Sequence, residues 1–303
     1  MPKLSVAYIG VVLIAVLYGA GDAVANPRTQ EPQQQITDFS LSGFGERGKK
    51  SWDVSGKSAD MSSDIVKLTD IVSNLYGENE DIKLTAQKGS FDKKEGILHL
   101  EDDVVISTSS GATLTTNSLD WDRKNQVVQT QDKVNIQREN IITKATGAAG
   151  YPNLNKLSLE KDVQVEINRS QGPDKDAPAP GKDTITINCD GPLEIDYKSN
   201  MGVFNTNVKV ETADVLIYSD RMDVYFAKTQ PQPQERQEVP PSLMSAQIDK
   251  IVAQGNVRIV RGDNVAYSKE AVYTAKDKKV TLSGQPKLVI YSTEDLANAP
   301  AGN

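Results

Sequence analysis

Cysteine and histidine each occur once in the 303 residues, as Cys189 and His99. A lone cysteine excludes an internal disulfide framework, and one histidine far from that cysteine makes no recognisable zinc set. No Ser-His-Asp or Cys-His arrangement can be identified around a single histidine either. Aromatic residues are scarce, at 6%. An excess of basic charge is missing too: the net charge is −7 and no Lys/Arg stripe runs along the chain. The charge that neutralises a phosphate backbone is therefore absent, which excludes nucleic acid as a partner. Between Thr85 and Ile290 few stretches carry a helical period. Gly147-Ala148-Ala149-Gly150 lacks the Lys-Ser/Thr of a phosphate loop and suits a strand bend or a close backbone approach. Glu101-Asp102-Asp103 reads as solvated capping after a strand rather than as an acid–base pair or a calcium site. No catalytic residue, metal ligand or cofactor is expected, and Cys189 reads as a small apolar strand residue.

A long hydrophobic run occurs at the N-terminus, where Lys3 precedes the apolar stretch Leu4 to Ala20. A positive flank before such a run is an export signal. Its 17 residues suit either a short membrane span or a long signal-peptide core. Ala23-Val24-Ala25 has the form of a cleavage site, so residues 1–25 are read as a membrane anchor or a signal segment. Either reading places Asn26 onward outside the cytoplasm. Residues 26–35 form a polar, Gln/Pro-rich spacer, and residues 293–303 a disordered tail.

The rest of the chain is rich in Val, Ile and Thr alternating with polar residues, the period-2 pattern of half-buried strands. A unit recurs. Its first half reads Gly89-Ser90-Phe91-Asp92, Leu119-Asp120-Trp121-Asp122, Leu193-Glu194-Ile195-Asp196, Met222-Asp223-Val224-Tyr225 and Ala271-Val272-Tyr273-Thr274. After a polar turn comes a strand with a Val at Val104, Val134, Val163, Val208 and Val257, and with Pro286 in the last copy. The steps from Val104 to Val134, Val134 to Val163 and Val257 to Pro286 are 30, 29 and 29 residues. The steps of 45 and 49 residues on either side of Val208 each contain a Pro-rich insert, at 171–183 and 229–243. The first is a loop or a linker, the second a loop. A fixed period marks stacked units that cannot bury their apolar faces alone.

Parity assigns the faces. In Val163-Gln164-Val165-Glu166-Ile167 the apolar residues point one way and Gln164 and Glu166 the other. The same holds for Leu98-His99-Leu100, Leu157-Ser158-Leu159, Val208-Lys209-Val210 and Val280-Thr281-Leu282, which puts His99 on the outer face. A continuous apolar inside and a charged outside follow. The inner face in the first half takes Ala86, Phe91, Leu98, Leu100, Val104, Ile106, Leu119 and Trp121, then Val134, Ile136, Leu157, Leu159, Val163 and Val165. In the second half it takes Val208, Val210, Val257, Ile259, Tyr273, Val280 and Leu282. These are the expected lipid-binding slot residues. Lys287 to Tyr291 forms a strong strand followed only by the tail, so the C-terminal edge is open to strand addition. Near the start, Gly45 to Lys50 reads as a hairpin turn with Gly48 at positive φ, and Ile65 to Tyr76 as a strand or a connecting segment.

Several stretches of residues 36–170 carry a family resemblance: Phe39-Ser40-Leu41, Trp52-Asp53-Val54-Ser55-Gly56-Lys57-Ser58-Ala59, and Leu84-Thr85-Ala86-Gln87-Lys88-Gly89-Ser90-Phe91-Asp92 followed by Leu98-His99-Leu100 and Val104. With the apolar N-terminus and spacer before them, they resemble the LptC family of lipopolysaccharide export proteins. Residues 184–292 are similar to the related LptA or OstA-like module. That likeness rests on Val252-Ala253-Gln254-Gly255-Asn256-Val257-Arg258-Ile259, Gly262-Asp263-Asn264, Ala271-Val272-Tyr273 and Leu282-Ser283-Gly284-Gln285-Pro286. The chain departs from a typical LptC by continuing past the first Pro-rich insert.

The resemblance implies an all-β fold, a folded β-jellyroll (β-taco) stack of antiparallel strands behind an N-terminal apolar helix. It implies a periplasmic lipopolysaccharide-binding transport protein with no enzymatic role, tethered to the inner membrane or released by cleavage. The implied partners are lipopolysaccharide, an inner-membrane ABC transporter complex, and an LptA-like periplasmic bridge protein or a second copy joined through edge strands. Two other readings of the stack are a carbohydrate-active enzyme on a β-helix and a structural or adhesive stalk.

Overall fold

The computed structural model describes residues 35–44, 48–61, 63–76, 81–122, 124–125, 127–151, 154–168, 184–227, 248–277 and 279–290. The N-terminal apolar segment, most of the spacer, both Pro-rich inserts and the tail lie outside the described residues.

Seventeen strands follow one another: β1 (Gln35–Phe44), β2 (Lys50–Asp60), β3 (Ile65–Tyr76), β4 (Asp81–Asp92), β5 (Ile97–Thr108), β6 (Thr113–Asp122), β7 (Val127–Arg138), β8 (Ile141–Tyr151) and β9 (Lys156–Asn168). Then come β10 (Thr184–Cys189), β11 (Leu193–Asp196), β12 (Met201–Glu211), β13 (Leu216–Phe226), β14 (Ile248–Arg261), β15 (Asn264–Thr274), β16 (Lys279–Ser283) and β17 (Lys287–Val289). All the pairings are antiparallel, in a single 17-stranded sheet, and they join neighbours in the chain except for β9–β11, β10–β12 and β15–β17. Ile65 to Tyr76 is thus a strand, and Gly48 has the expected positive φ, at 69°.

Two of the strand positions are split. β10 and β11 lie end to end between β9 and β12, and β16 and β17 lie end to end against β15. Counted this way, each repeat Val stands on every second strand position, so the period near 29 is one up-and-down pair of strands.

The long strands bend at their middles. Asp102 and Asp103 both have positive φ (63° and 54°), as do Thr206 and Asn207 (65° and 53°), Gly255 and Asn256 (74° and 45°), and Gly284 and Gln285 (76° and 64°). Left-handed conformation suits Gly, Asn and Asp best. Each pair directly precedes a repeat residue: Val104, Val208, Val257 or Pro286. The ladder register slips at the same points, between Glu101 and Val104, Asn205 and Val208, and Gln254 and Val257. Glu101-Asp102-Asp103 is therefore no cap after a strand but the bend inside β5. The sequence expectation failed there because a left-handed pair leaves the strand running on after it.

The outer side of the bend is laced by polar side chains. Gln87 donates to Asp103, Ser118 to Asp132 (2.7 Å), Asn207 to Asp190 (2.6 Å) and Asn256 to Asp220 (2.9 Å). At Gly255 a Cβ would collide with the Asp220 carboxylate, so the close approach requires glycine there. Gly147, with φ of 79° in the middle of β8, bends that strand as its sequence suggested.

On the inner side the valines fill the crease. Val104, Val163, Val208 and Val257 are at most 1% exposed. Small residues face them across the ladder: Thr116 opposite Val104, Ala145 opposite Val134, Ser219 opposite Val208 and Ser268 opposite Val257. The bend crowds the crease, and a large residue paired with a small one fits it.

Two apolar clusters result. One holds Ala59, Leu68, Phe91, Leu100, Val104 and Leu119, among others from β2 to β6. The other runs from Val134 on β7 to Ala271 on β15. It crosses from β9 to β10 and β12 without a break, and β9 pairs directly with β10 from Asn168–Thr184 to Val163–Cys189. The two clusters meet at β6 and β7, where Thr116 to Leu119 have no register partner on β7. Buried hydroxyls occupy that seam, with Thr116 Oγ1 3.4 Å from Thr130 Oγ1.

Burying a valine side chain stabilises a fold by roughly 1.5–3 kcal/mol. Val104→Ala is expected to lower unfolding free energy by about 2 kcal/mol. Val280→Ala, at a position 53% exposed, is expected to cost under about 0.5 kcal/mol. Urea unfolding of the two variants checks both values.

Candidate functional site

The bend divides the sheet into two arms. In the first arm the cross-strand partners form an unbroken row: Val66–Phe91–Leu98–Trp121–Val128–Gly150–Leu157. It continues as Ile195–Gly202–Val224–Ile251–Tyr273–Val280. Every member is apolar, glycine or tyrosine. A second row lies nearer the crease, through Thr130, Ala148, Leu159, Leu193, Phe204, Met222, Ala253, Ala271 and Leu282. In the second arm the facing row is Leu84–Ile106–Leu114–Ile136–Thr143–Val165–Ile187–Val210–Ile217–Ile259–Ala266–Leu288.

The arms face one another. Leu159, Phe204 and Met222 of the first arm share a cluster with Ile136, Val165 and Val210 of the second. Leu84 and Ile106 pack on the cluster that holds Phe91 and Leu100.

The expected slot residues fall on these rows. Phe91, Leu98, Trp121, Leu157, Tyr273 and Val280 lie in the first-arm rim row, and Leu159 and Leu282 in the row below it. Leu100 and Leu119 are cross-strand partners on that same level. Ile106, Ile136, Val165, Val210 and Ile259 lie in the second-arm row. Ala86 and the repeat valines Val104, Val134, Val163, Val208 and Val257 line the crease, all buried.

Burial along the first-arm rim row is uneven: Val66, Phe91, Ile195 and Val224 are buried. Leu159 is fully buried, whereas Leu98, Trp121, Val128 and Leu157 are only half-buried. Val280 stands exposed at the C-terminal end of its row. Sequence reasoning missed Val66, Leu68 and Ile71 on β3, and Ile187, Phe204, Met222 and Ala253 farther along. Met222 and Ile195 stand within the repeat's own first halves, so the signal was present.

Both ends of the sheet expose apolar side chains. Ile36 and Phe44 on β1 are 39% and 65% exposed, and Leu288 and Ile290 at the other end are 63% and 66% exposed. Among the described residues β1 pairs only with β2, and β16 and β17 only with β15.

The outer face carries the charges. His99 Nδ1 lies 2.5 Å from Asp120 Oδ1 on the neighbouring strand, and its Nε2 lies 3.7 Å from Glu101. Lys88 and Asp102 form an ion pair at 2.7 Å. Among the described residues no group of His, Cys, Asp and Glu could hold a metal ion. Chemically, the inner face can shelter apolar chains along its length.

Cys189 ends β10 inside the second cluster, opposite Val163. Burial pushes its thiol up, against the opposing pull of backbone N–H groups at Gly191 and Asn205. A buried thiol held protonated is a poor nucleophile. Cys189 is expected to stay unlabelled by maleimide at pH 7 in the native chain and to label fully in urea, as read by mass spectrometry.

The family model for "Lipopolysaccharide-assembly, LptC-related" proteins matches residues 4–168. The model for the "LptA/(LptD N-terminal domain) LPS transport protein" family matches residues 187–300. No curated protein matches the chain. Among solved structures, one that aligns is LptH of Pseudomonas aeruginosa, the LptA-homologous periplasmic component of a lipopolysaccharide transport device. It is 14% identical, with 70% of this chain and 95% of that chain covered, at a TM-score of 0.18. The two family matches together describe lipopolysaccharide assembly and transport on an all-β scaffold. With more than half of its length matched, the chain belongs to the LptC-related lipopolysaccharide-assembly family, continued by an LptA-type segment.

Proposed function

We propose that this chain is a periplasmic carrier that takes lipopolysaccharide from an inner-membrane ABC transporter complex and passes it along the inner face of the folded sheet toward the outer membrane. The observation that carries the reading is the pair of facing apolar rows. They run in register from β4 to the last strand position, buried at the crease and half-buried along the first-arm rim from Leu98 to Leu157. Each acyl CH₂ placed between them is worth roughly 0.8 kcal/mol, so several chains supply ample holding energy. A rim that stays half-buried lets a chain enter from the side. A stalk would need only a closed, dry interior, and the half-buried rim favours the carrier over it.

No chemical step is needed at such a slot, and direction would come from the transporter's ATP. The apolar stretch in residues 1–25 supports an N-terminal end tethered to the inner membrane as an anchor, or a chain released from it if the stretch is a signal that is removed. The exposed Leu288 at the far end suits an added strand from an LptA-like bridge protein or from a second copy.

Photo-crosslinking amino acids at Leu98, Leu157 and Ile259 are expected to capture lipopolysaccharide in cells, and one at the outward Gln164 is not. Equal capture at all four positions, or none at any, would sink the carrier reading.

A further inference from the structure

Among the inward positions of the described residues, one carries a charge that no acidic side chain meets. Arg138 ends β7 in the same parity as Val134 and Ile136, which are both buried in the cluster. Its row along the rim of the second arm continues Arg138–Ile141–Ile167–Ile185. Ile141 is 8% exposed, and Ile167 and Ile185 pack on the same cluster. Arg138 Nε is buried and has no hydrogen-bond partner. The side chain forms no ion pair among the described residues. By contrast Arg261, at the equivalent end of β14, is paired with Asp214 at 3.1 Å.

A guanidinium cannot lose its charge in a protein, and an orphaned buried N–H is costly. Packing alone gives no reason for this residue, because a leucine would continue the row better. What relieves the cost is an anion at the rim. A phosphate accepts two parallel N–H bonds from the Nε–Nη edge of a guanidinium, whose Nε is unpartnered here. An amphiphile whose chains lie between the arms carries its polar head at the rim, where Arg138 stands.

We propose that Arg138 binds the phosphate-bearing head of the lipid whose acyl chains occupy the inner rows. The inference rests on the carrier reading, and it adds a fixed point to it. Apolar rows alone let a lipid slide freely, while an unpaired rim cation midway along the sheet makes a resting station. Swinging a short way into the slot mouth pairs the orphaned N–H with a phosphate oxygen.

The test uses the purified full chain in mild detergent. The probes are synthetic bisphosphorylated lipid A, the same lipid without phosphates, and inorganic phosphate. The variants are Arg138→Gln, Arg138→Lys, Arg138→Leu and, on the outer face of the same strand, Lys133→Gln. The wild-type chain is expected to prefer the phosphorylated lipid by roughly tenfold. Arg138→Gln is expected to erase the preference while leaving the affinity for the dephosphorylated lipid unchanged. Arg138→Lys should keep part of the preference, and Lys133→Gln all of it. Arg138→Leu is expected to lose the preference and yet raise the thermal midpoint, which a structural arginine would not do. A preference that survives Arg138→Gln overturns the proposal, as does inorganic phosphate binding at Arg138 as tightly as the lipid. If the wild-type chain binds neither lipid, the carrier reading itself falls and this inference with it. If it binds both equally, only the Arg138 assignment falls.

Discussion

A valine wedged at the bend of alternate strands holds the two arms of the sheet face to face. Val104, Val163, Val208 and Val257 are all but inaccessible, and each follows one or two residues in the left-handed conformation. Those residues turn the strand, and the valine fills the angle so formed. Remove the bend and the sheet is flat, with one side greasy and open to water. With the bend, the greasy side becomes an interior. Period-2 alternation then does the rest, because each strand crosses the crease with its apolar parity kept inward on both arms.

The ladder slips where the strands bend, and that is how parity survives. Two left-handed residues take up the extra length of the outer path, and Asp, Asn and Ser side chains close the gaps they leave. The inner rows are buried at the crease and half-buried along the first-arm rim from Leu98 to Leu157, a shape consistent with membership of a lipopolysaccharide-assembly family. The seam at β6 and β7 divides the core into two bodies, while the sheet itself continues across the strands on either side of the first Pro-rich insert.

Much of this was legible in the sequence. Strict alternation in segments such as Val163 to Ile167 gave the inner face, and the spacing of the valines gave the stack. The bend was not legible as a bend. Asp102-Asp103, Thr206-Asn207 and Gly255-Asn256 carry the left-handed preference, but the same residues also cap strands and make turns. Local preference could not choose between a turn that ends a strand and a bend that continues it. Phe204 and Ala253 escaped because pairing across strands, not spacing along them, brings them into the row. Arg138 was passed over for a related reason: a charged residue beside a turn looks ordinary until the rim row it belongs to is traced.

The central claim is that acyl chains lie between the arms, and the two tryptophans allow it to be measured without adding a probe. Trp121 sits in the first-arm rim row, next to Leu98 and Val128. In a Trp52→Phe background, lipid A with brominated acyl chains is predicted to quench Trp121 fluorescence in proportion to the lipid bound. The same lipid bound without quenching would place the chains elsewhere and contradict the account.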